Sequence, residues 1–174
     1  MKVFGIVGWH NSGKTTLVSN LIPIMVKRGL SVSTVKHAHH NFDIDKPGKD
    51  SYEHRRAGAK EVLISSKSRW ALIHENKETS ELGLSDLLKK LVSVDLVLVE
   101  GFKHGSHKKL EVYRGQSDKA PLRHEDPEIC AVASDIKLSG LSVPLFGIND
   151  YEVISDFIIR YLDLLAKSKD GPIN

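Results

Sequence analysis

The chain has 174 residues, 40% of them hydrophobic and 27% charged; this composition excludes a disordered or fibrous chain and suffices for one buried core. A formal net charge of +3, with lysines and arginines scattered along the sequence, speaks against a nucleic-acid partner. One cysteine, Cys130, leaves no disulfide framework, no apolar run reaches the roughly 18 residues of a membrane span, and the N-terminus opens on a core strand rather than a signal peptide.

A single cytoplasmic domain over residues 1–174 is therefore expected, with 167–174 as a frayed tail and no membrane partner. The apolar run 3–7 reads as a first strand, and it feeds directly into Gly8-Trp-His-Asn-Ser-Gly-Lys-Thr15, which has the spacing G-x-x-x-x-G-K-[ST] of a phosphate-binding loop. Leu17, Val18, Leu21, Ile22 and Met25 then recur at helical spacing, so a helix over 14–28 completes the strand-loop-helix unit. Pro23 falls inside it and predicts a kink. Gly8 and Gly13 permit a turn whose backbone N–H groups face phosphate oxygens, reinforced by the positive end of the helix. Lys14 is expected at the β- and γ-phosphates, the Thr15 hydroxyl at a magnesium ion and Thr16 at the α-phosphate. His10 is expected to point outward.

A second strand is predicted at 31–36, and the stretch Lys36 to Ser51 leaves it on the side where parallel sheets bind ligands. Asp43, Asp45 and Asp50 could serve magnesium or orient a water, Asp45 first among them. Asp50, three residues before Glu53, equally reads as a helix cap. Lys46 and Lys49 could hold an anion or be solvated, and Pro47-Gly48 reads as a turn. His37, His39 and His40 are the chain's most metal-like cluster, although no cysteine stands near them and histidines beside phosphates also serve as donors.

Helices follow at 51–58, 84–92 and 150–166, the last capped by Asn149 and Asp150, and strands at 61–65, 70–74, 94–99, 110–113 and 129–133. The pattern is α/β: a mostly parallel twisted sheet with helices on both faces. Residues 61–74, with 106–113, look like more sheet than a phosphate-loop core needs, and suggest a strand-rich edge that pairs with a second subunit. Glu100 ends the apolar strand after Asp95, where a carboxylate would meet magnesium or polarise water, unless it is a surface residue. Cys130 reads as buried in its strand. Ser134 and Asp135 end that strand, and Asp135 could accept the N–H pair of guanine or simply form a turn. The segment 114–127 is irregular and could act as a lid.

Together, G-W-H-N-S-G-K-T-T-L at 8–17, K-H-A-H-H-N-F-D-I-D-K-P-G-K-D-S-Y at 36–52, V-E-G-F-K-H at 99–104 and A-V-A-S-D at 131–135 resemble the molybdopterin-guanine dinucleotide biosynthesis protein B (MobB) family. The resemblance spans nearly the whole chain and implies a homodimeric P-loop (Walker A) NTPase fold. By it, the protein would bind GTP with Mg2+, hydrolyse GTP weakly, and assist attachment of a guanine nucleotide to the molybdopterin cofactor with a nucleotidyltransferase, protein A of the pathway. Gly8, His10, Asn11, Ser12, Gly13, Lys14, Thr15 and Thr16 would hold phosphates. Lys14, Asp45 and Glu100 would be catalytic, with Thr15, Asp45 and Glu100 at magnesium. The loop carrying His37, His39, His40, Lys46 and Lys49 would face nucleotide or pterin. The guanine-reading Asn-Lys-x-Asp of related GTPases is absent, Ser134 and Asp135 being its nearest equivalent, and Arg55, Arg56, Arg69, Arg114 and Arg123 are all possible arginine fingers. A metal-insertion GTPase using the histidines and a small-molecule kinase using 114–127 as a lid are the competing readings.

Overall fold

The computed structural model describes residues 1–38, 42–76 and 81–164. These fall into two compact units, one drawn from Met1–His37 and Leu84–Asn174 and the other from Ala38–Gly83.

The first unit is built on six strands: β1 (Lys2–Val7), β2 (Val32–Lys36), β5 (Leu96–Glu100), β6 (Lys109–Tyr113), β7 (Ile129–Ser134) and β8 (Leu145–Gly147). They lie in the order β2-β5-β1-β6-β7-β8, every pairing parallel. Residues 96–99 of β5 are fully buried, as a strand covered on both faces must be. Phe4, Ile6, Leu96, Leu98, Leu110, Val112, Ala131 and Ala133 share one face. There they form a single core with Leu17, Leu21 and Met25 of α1 (Lys14–Lys27) and with Ile154 and Ile158 of α4 (Tyr151–Tyr161). Pro23 lies inside α1 without ending it. The helix stops at Gly29, whose φ of +88° allows Gly29 N–H to reach the Val26 carbonyl at 2.9 Å and Leu30 N–H that of Met25 at 3.1 Å. Arg28 then bonds Glu152 at 2.6 Å and also Asp156, tying α1 to α4.

The opposite face is different in kind. Around β1 and β6 it carries Lys109 and Glu111, both fully buried. They are met by Asp126, 2.6 Å from Lys109 Nζ, and by Leu122 N–H and Arg123, which donate to Glu111 at 2.7 and 2.8 Å. His107 lies against Gly5, where a Cβ would fall 2.6 Å from its Nε2. His107 and residues 121–126, with one 3-10 turn at Leu122–His124, thus close this part of the sheet.

Some expectations change. The segment 106–113 is no edge addition, because β6 is an interior strand between β1 and β7. Its alternating charges are buried through partners distant in sequence. The strand β8 was not foreseen; it is three residues long and lies at the sheet edge beside β7. The helix α3 covers only Leu84–Leu88. Asp150 precedes α4 without a side-chain capping bond, since its carboxylate accepts from Gly147 N–H at 3.0 Å instead. No helix among the described residues is long and apolar enough to cross a membrane.

The second unit contains α2 (Asp50–Arg56) and an antiparallel hairpin of β3 (Glu61–Ser65) and β4 (Trp70–His74), a two-stranded sheet of its own. Asp50 is the first residue of α2 and makes no capping bond. The unit is held by Arg55, which bonds Asp45 at 3.0 Å, Asp43 at 2.7 Å and Glu75 at 2.9 Å.

Candidate functional site

The loop between β1 and α1 has the shape its glycines predict. Gly8 has a φ of +153°, and a Cβ there would lie 2.5 Å from the Val112 carbonyl and 2.6 Å from Ser12 Oγ. Only glycine lets the loop lie this close to β6. Gly13, at φ +101°, caps α1, whose first turn has neither an acidic residue nor a side-chain cap. The first N–H groups of α1 are therefore presented, with the helix dipole, to an anion. Lys14 Nζ donates to the Trp9 carbonyl at 2.7 Å, which curls its side chain back over the loop. Burial, with like charge from Lys103 and Lys36 and against the pull of Glu100, lowers the Lys14 ammonium below the ordinary lysine range. His10, Asn11 and Thr16 are exposed, Asn11 in the left-handed region at φ +59°, while Ser12 is buried and its Oγ has no partner among the described residues.

Glu100 reaches the loop because β5 lies beside β1, with Ile6 opposite Glu100, and β2 lies beyond it, with Lys36 opposite Glu100. Its side chain is 13% exposed. Thr15 Oγ1 donates to Glu100 Oε1 at 2.8 Å. Adjacent ligands of an octahedral magnesium with bonds of about 2.1 Å stand about 3.0 Å apart, so these two oxygens lie near the spacing of neighbouring corners of such a shell. Lys36 Nζ joins the pair, 3.1 Å from Glu100 Oε1 and 3.3 Å from Thr15 Oγ1. Lys103 Nζ sits 4.0 Å from the Trp9 ring centroid, and burial lowers its pKa as well. Lys36 pairs with Glu100, Lys14 feels the charge of that carboxylate, and Lys103 and Lys36 both act on Lys14, an excess of positive charge suited to a polyanion.

On the other side of the loop, Arg114 donates to the Ser12 carbonyl at 3.1 Å and pairs with Asp135 at 3.2 Å. Asp135 also accepts from Gly115 N–H at 2.9 Å; that bond first, and then Arg114, hold its carboxyl below the usual range against some desolvation. Ser134 is buried, and its hydroxyl accepts from Ile136 N–H at 3.2 Å. Trp9, Ser12, Arg114 and Asp135 line a cavity of about 550 Å³. The indole N–H of Trp9 donates to the Ala120 carbonyl at 2.8 Å, fastening the 114–120 stretch to the loop.

The segment after β2 is only partly described. His37 belongs to the first unit, its ring 4.7 Å from that of Phe102 and its N–H on the Glu100 carbonyl at 2.9 Å. Gly101, at φ +94°, makes room for it, since a Cβ there would fall 2.9 Å from the His37 Cβ. His39 and His40 lie outside the described residues. Asp45 is in the second unit, its side chain 1% exposed and its carboxylate bonded to Arg55. Sequence gave no sign of this pairing, whose third acid, Glu75, lies 20 residues from the arginine. Lys46 and Lys49 are exposed, at the ends of a turn closed by Lys49 N–H to the Lys46 carbonyl at 3.2 Å. Among the described residues no three histidines, cysteines or acids come together to hold a metal ion. Cys130 lies in β7, half-buried, its thiol donating to the Lys109 carbonyl at 3.4 Å. Sequence reasoning also passed over Lys36 and Lys103, and left Arg114 as one arginine among several.

Residues 3–135 match the family model described as molybdopterin guanine dinucleotide synthesis protein B. The molybdopterin-guanine dinucleotide biosynthesis adapter protein of Escherichia coli K12 is 41% identical over 163 residues, 92% of this chain and 93% of that protein. Its Haemophilus influenzae namesake is 38% identical, over 92% and 89% of the two chains. Among solved structures, a MobB protein homologue from Bacillus stearothermophilus superposes with a TM-score of 0.73 at 28% identity, covering 94% of this chain and 99% of that one. The fold is the α/β P-loop fold of those proteins, and the chain belongs to the molybdopterin guanine dinucleotide synthesis protein B family.

Proposed function

We propose that the protein binds GTP with Mg2+ on residues 8–16 and acts as an adapter in the synthesis of molybdopterin guanine dinucleotide. It would work with the nucleotidyltransferase that joins the guanine nucleotide to molybdopterin. The observation that carries this reading is the convergence of Thr15 and Glu100, 2.8 Å apart, beside the α1 N-terminus and Lys14. The names of the Escherichia coli and Haemophilus influenzae relatives support the pathway.

In this reading the backbone N–H groups of 8–16 bind the phosphates, and Lys14 turns from the Trp9 carbonyl to the β- and γ-oxygens. Thr15 and Glu100 would hold magnesium, which would supply positive charge against those phosphates. Asp135 keeps acceptor capacity for a guanine N–H pair, because a carboxylate has about four lone-pair sites and it accepts from Gly115 and Arg114. Arg114 touches the loop through Nε on the Ser12 carbonyl and Nη1 on Asp135, and in this reading hydrolysis stays slow unless a cation also reaches the γ-phosphate. Asp45, which the sequence placed at magnesium, is bonded to Arg55 in the second unit and enters this reading as part of that ion network. A homodimer is also proposed, through the second unit, whose hairpin exposes Leu63, Trp70 and Leu72 on one face. Sedimentation at micromolar concentration as a monomer would contradict it.

Reconstitution tests the function. Purified nucleotidyltransferase, molybdopterin and Mg2+-GTP are incubated with wild-type protein, with Lys14→Ala or with neither. Dinucleotide yield should rise with the wild type and not with the variant. Equal yield in all three would contradict an adapter role.

A further inference from the structure

The ammonium of Lys36 lies on the two oxygens that a magnesium ion would use. It is 3.1 Å from Glu100 Oε1 and 3.3 Å from Thr15 Oγ1, while those oxygens are 2.8 Å from each other. The placement follows from the sheet: β2 and β5 are parallel neighbours with Lys36 opposite Glu100, and side chains at paired positions leave the same face. We propose that Lys36 is an exchangeable counter-ion of the magnesium position, competing with the metal for Thr15 and Glu100 and coupling its entry to phosphate binding.

The inference rests on the magnesium-nucleotide reading of the loop. A dication and an ammonium cannot share the same pair of oxygens without strong repulsion at such distances. As Mg2+ takes Thr15 and Glu100, the ammonium must leave, and the Lys36 side chain, 58% exposed, is unencumbered enough to do so. Its destination is the anion beside it, since Lys14 and Lys103 already crowd the loop with positive charge. Lys36 would then contact a phosphate oxygen in the loaded state, a cation supplied in cis. Metal without nucleotide must displace the lysine and gains no compensating contact for it, so it binds poorly. Nucleotide without metal keeps a cation at Thr15 and Glu100, so it still binds.

Two titrations test this on the full chain with Lys36→Met, using Lys27→Met, an exposed lysine at the end of α1, as control. The first follows Mn2+ alone by electron paramagnetic resonance, with no nucleotide present. Lys36→Met should bind Mn2+ at least about fivefold more tightly than wild type, because the competing ammonium is gone. Unchanged Mn2+ affinity overturns the inference, whatever nucleotide the protein uses. The second measures the Kd of GTP with Mg2+ and with EDTA. The Kd in EDTA divided by the Kd in Mg2+ should rise by about tenfold in Lys36→Met and stay at the wild-type value in Lys27→Met. An equal ratio in all three proteins overturns the counter-ion role. Loss of GTP binding by wild type under both conditions, with Mn2+ affinity still rising in Lys36→Met, overturns the nucleotide reading and leaves the competition for Thr15 and Glu100 standing.

Discussion

Glu111 stands in the middle of β6, fully buried, and its carboxylate accepts from Leu122 N–H at 2.7 Å and from Arg123 at 2.8 Å. Glu111→Gln keeps the volume and one acceptor but removes the charge. Removing one partner of a buried pair costs about 3–5 kcal/mol. The low end applies here, because the guanidinium is 12% exposed and stacks 5.0 Å over the Tyr113 ring, while the amide oxygen still accepts one bond. A loss of about 3 kcal/mol lowers the midpoint of a domain of this size by about 6–12 °C. Urea unfolding and thermal melts read both quantities. Glu111→Leu combined with Arg123→Leu should recover part of the loss, since an apolar replacement of both partners is close to neutral and the remaining cost is the unmatched Leu122 N–H, at about 1–3 kcal/mol. A cost below about 1 kcal/mol for the single variant, or a double variant less stable than the single, would refute the idea that this pair closes the second face of the sheet.

Gly8→Ala places a Cβ 2.5 Å from the Val112 carbonyl at a φ of +153°; strain of about 1–3 kcal/mol should weaken GTP binding about tenfold or more, and calorimetric affinity within twofold of wild type would contradict the loop geometry. His107 is kept neutral in the folded protein by burial and then by Lys109, against Asp126 and Glu128. Below its ordinary value of about 6.5 the unfolded chain takes up a proton that the folded one refuses, so stability is fully present above that pH and falls beneath it. His107→Gln should therefore show a smaller drop in urea midpoint between about pH 7.5 and about pH 5.5 than wild type, and an equal drop would refute the assignment. The Cys130 thiol is pushed up by burial, so alkylation by iodoacetamide near pH 8 should be slow until urea unfolds the chain; rapid alkylation of the folded protein would contradict it.

What could be read from sequence was what depends on local spacing. The phosphate loop works through backbone groups and two glycines, so eight consecutive residues specify it. The position of Glu100 beside the loop was legible because an apolar parallel strand aims its last residue at the ligand end of the sheet. The contact of Lys36 with Glu100 was not, because it depends on β2 pairing with β5 rather than with β1. Arg114 and Asp135 are 21 residues apart, on the ends of β6 and β7. Lys109 and Glu111 alternate with apolar residues as on a half-exposed strand, and only the return of 121–126 over the sheet supplies their partners. Asp45 matched a magnesium ligand in type, but Arg55, ten residues on, occupies its carboxylate. Asp150 does stand at the N-cap of α4, but its carboxylate accepts from Gly147 N–H and makes no capping bond.

The central claim is that residues 8–16, with Lys14 and the Thr15–Glu100 pair, form a site for a guanine nucleotide with magnesium. Calorimetric titration with Mg2+-GTP and with Mg2+-ATP, alongside Lys14→Ala, tests it most directly. Tighter binding of GTP than of ATP, abolished in the variant, is the predicted result. Preference for ATP, or GTP affinity that survives the loss of Lys14, would contradict it.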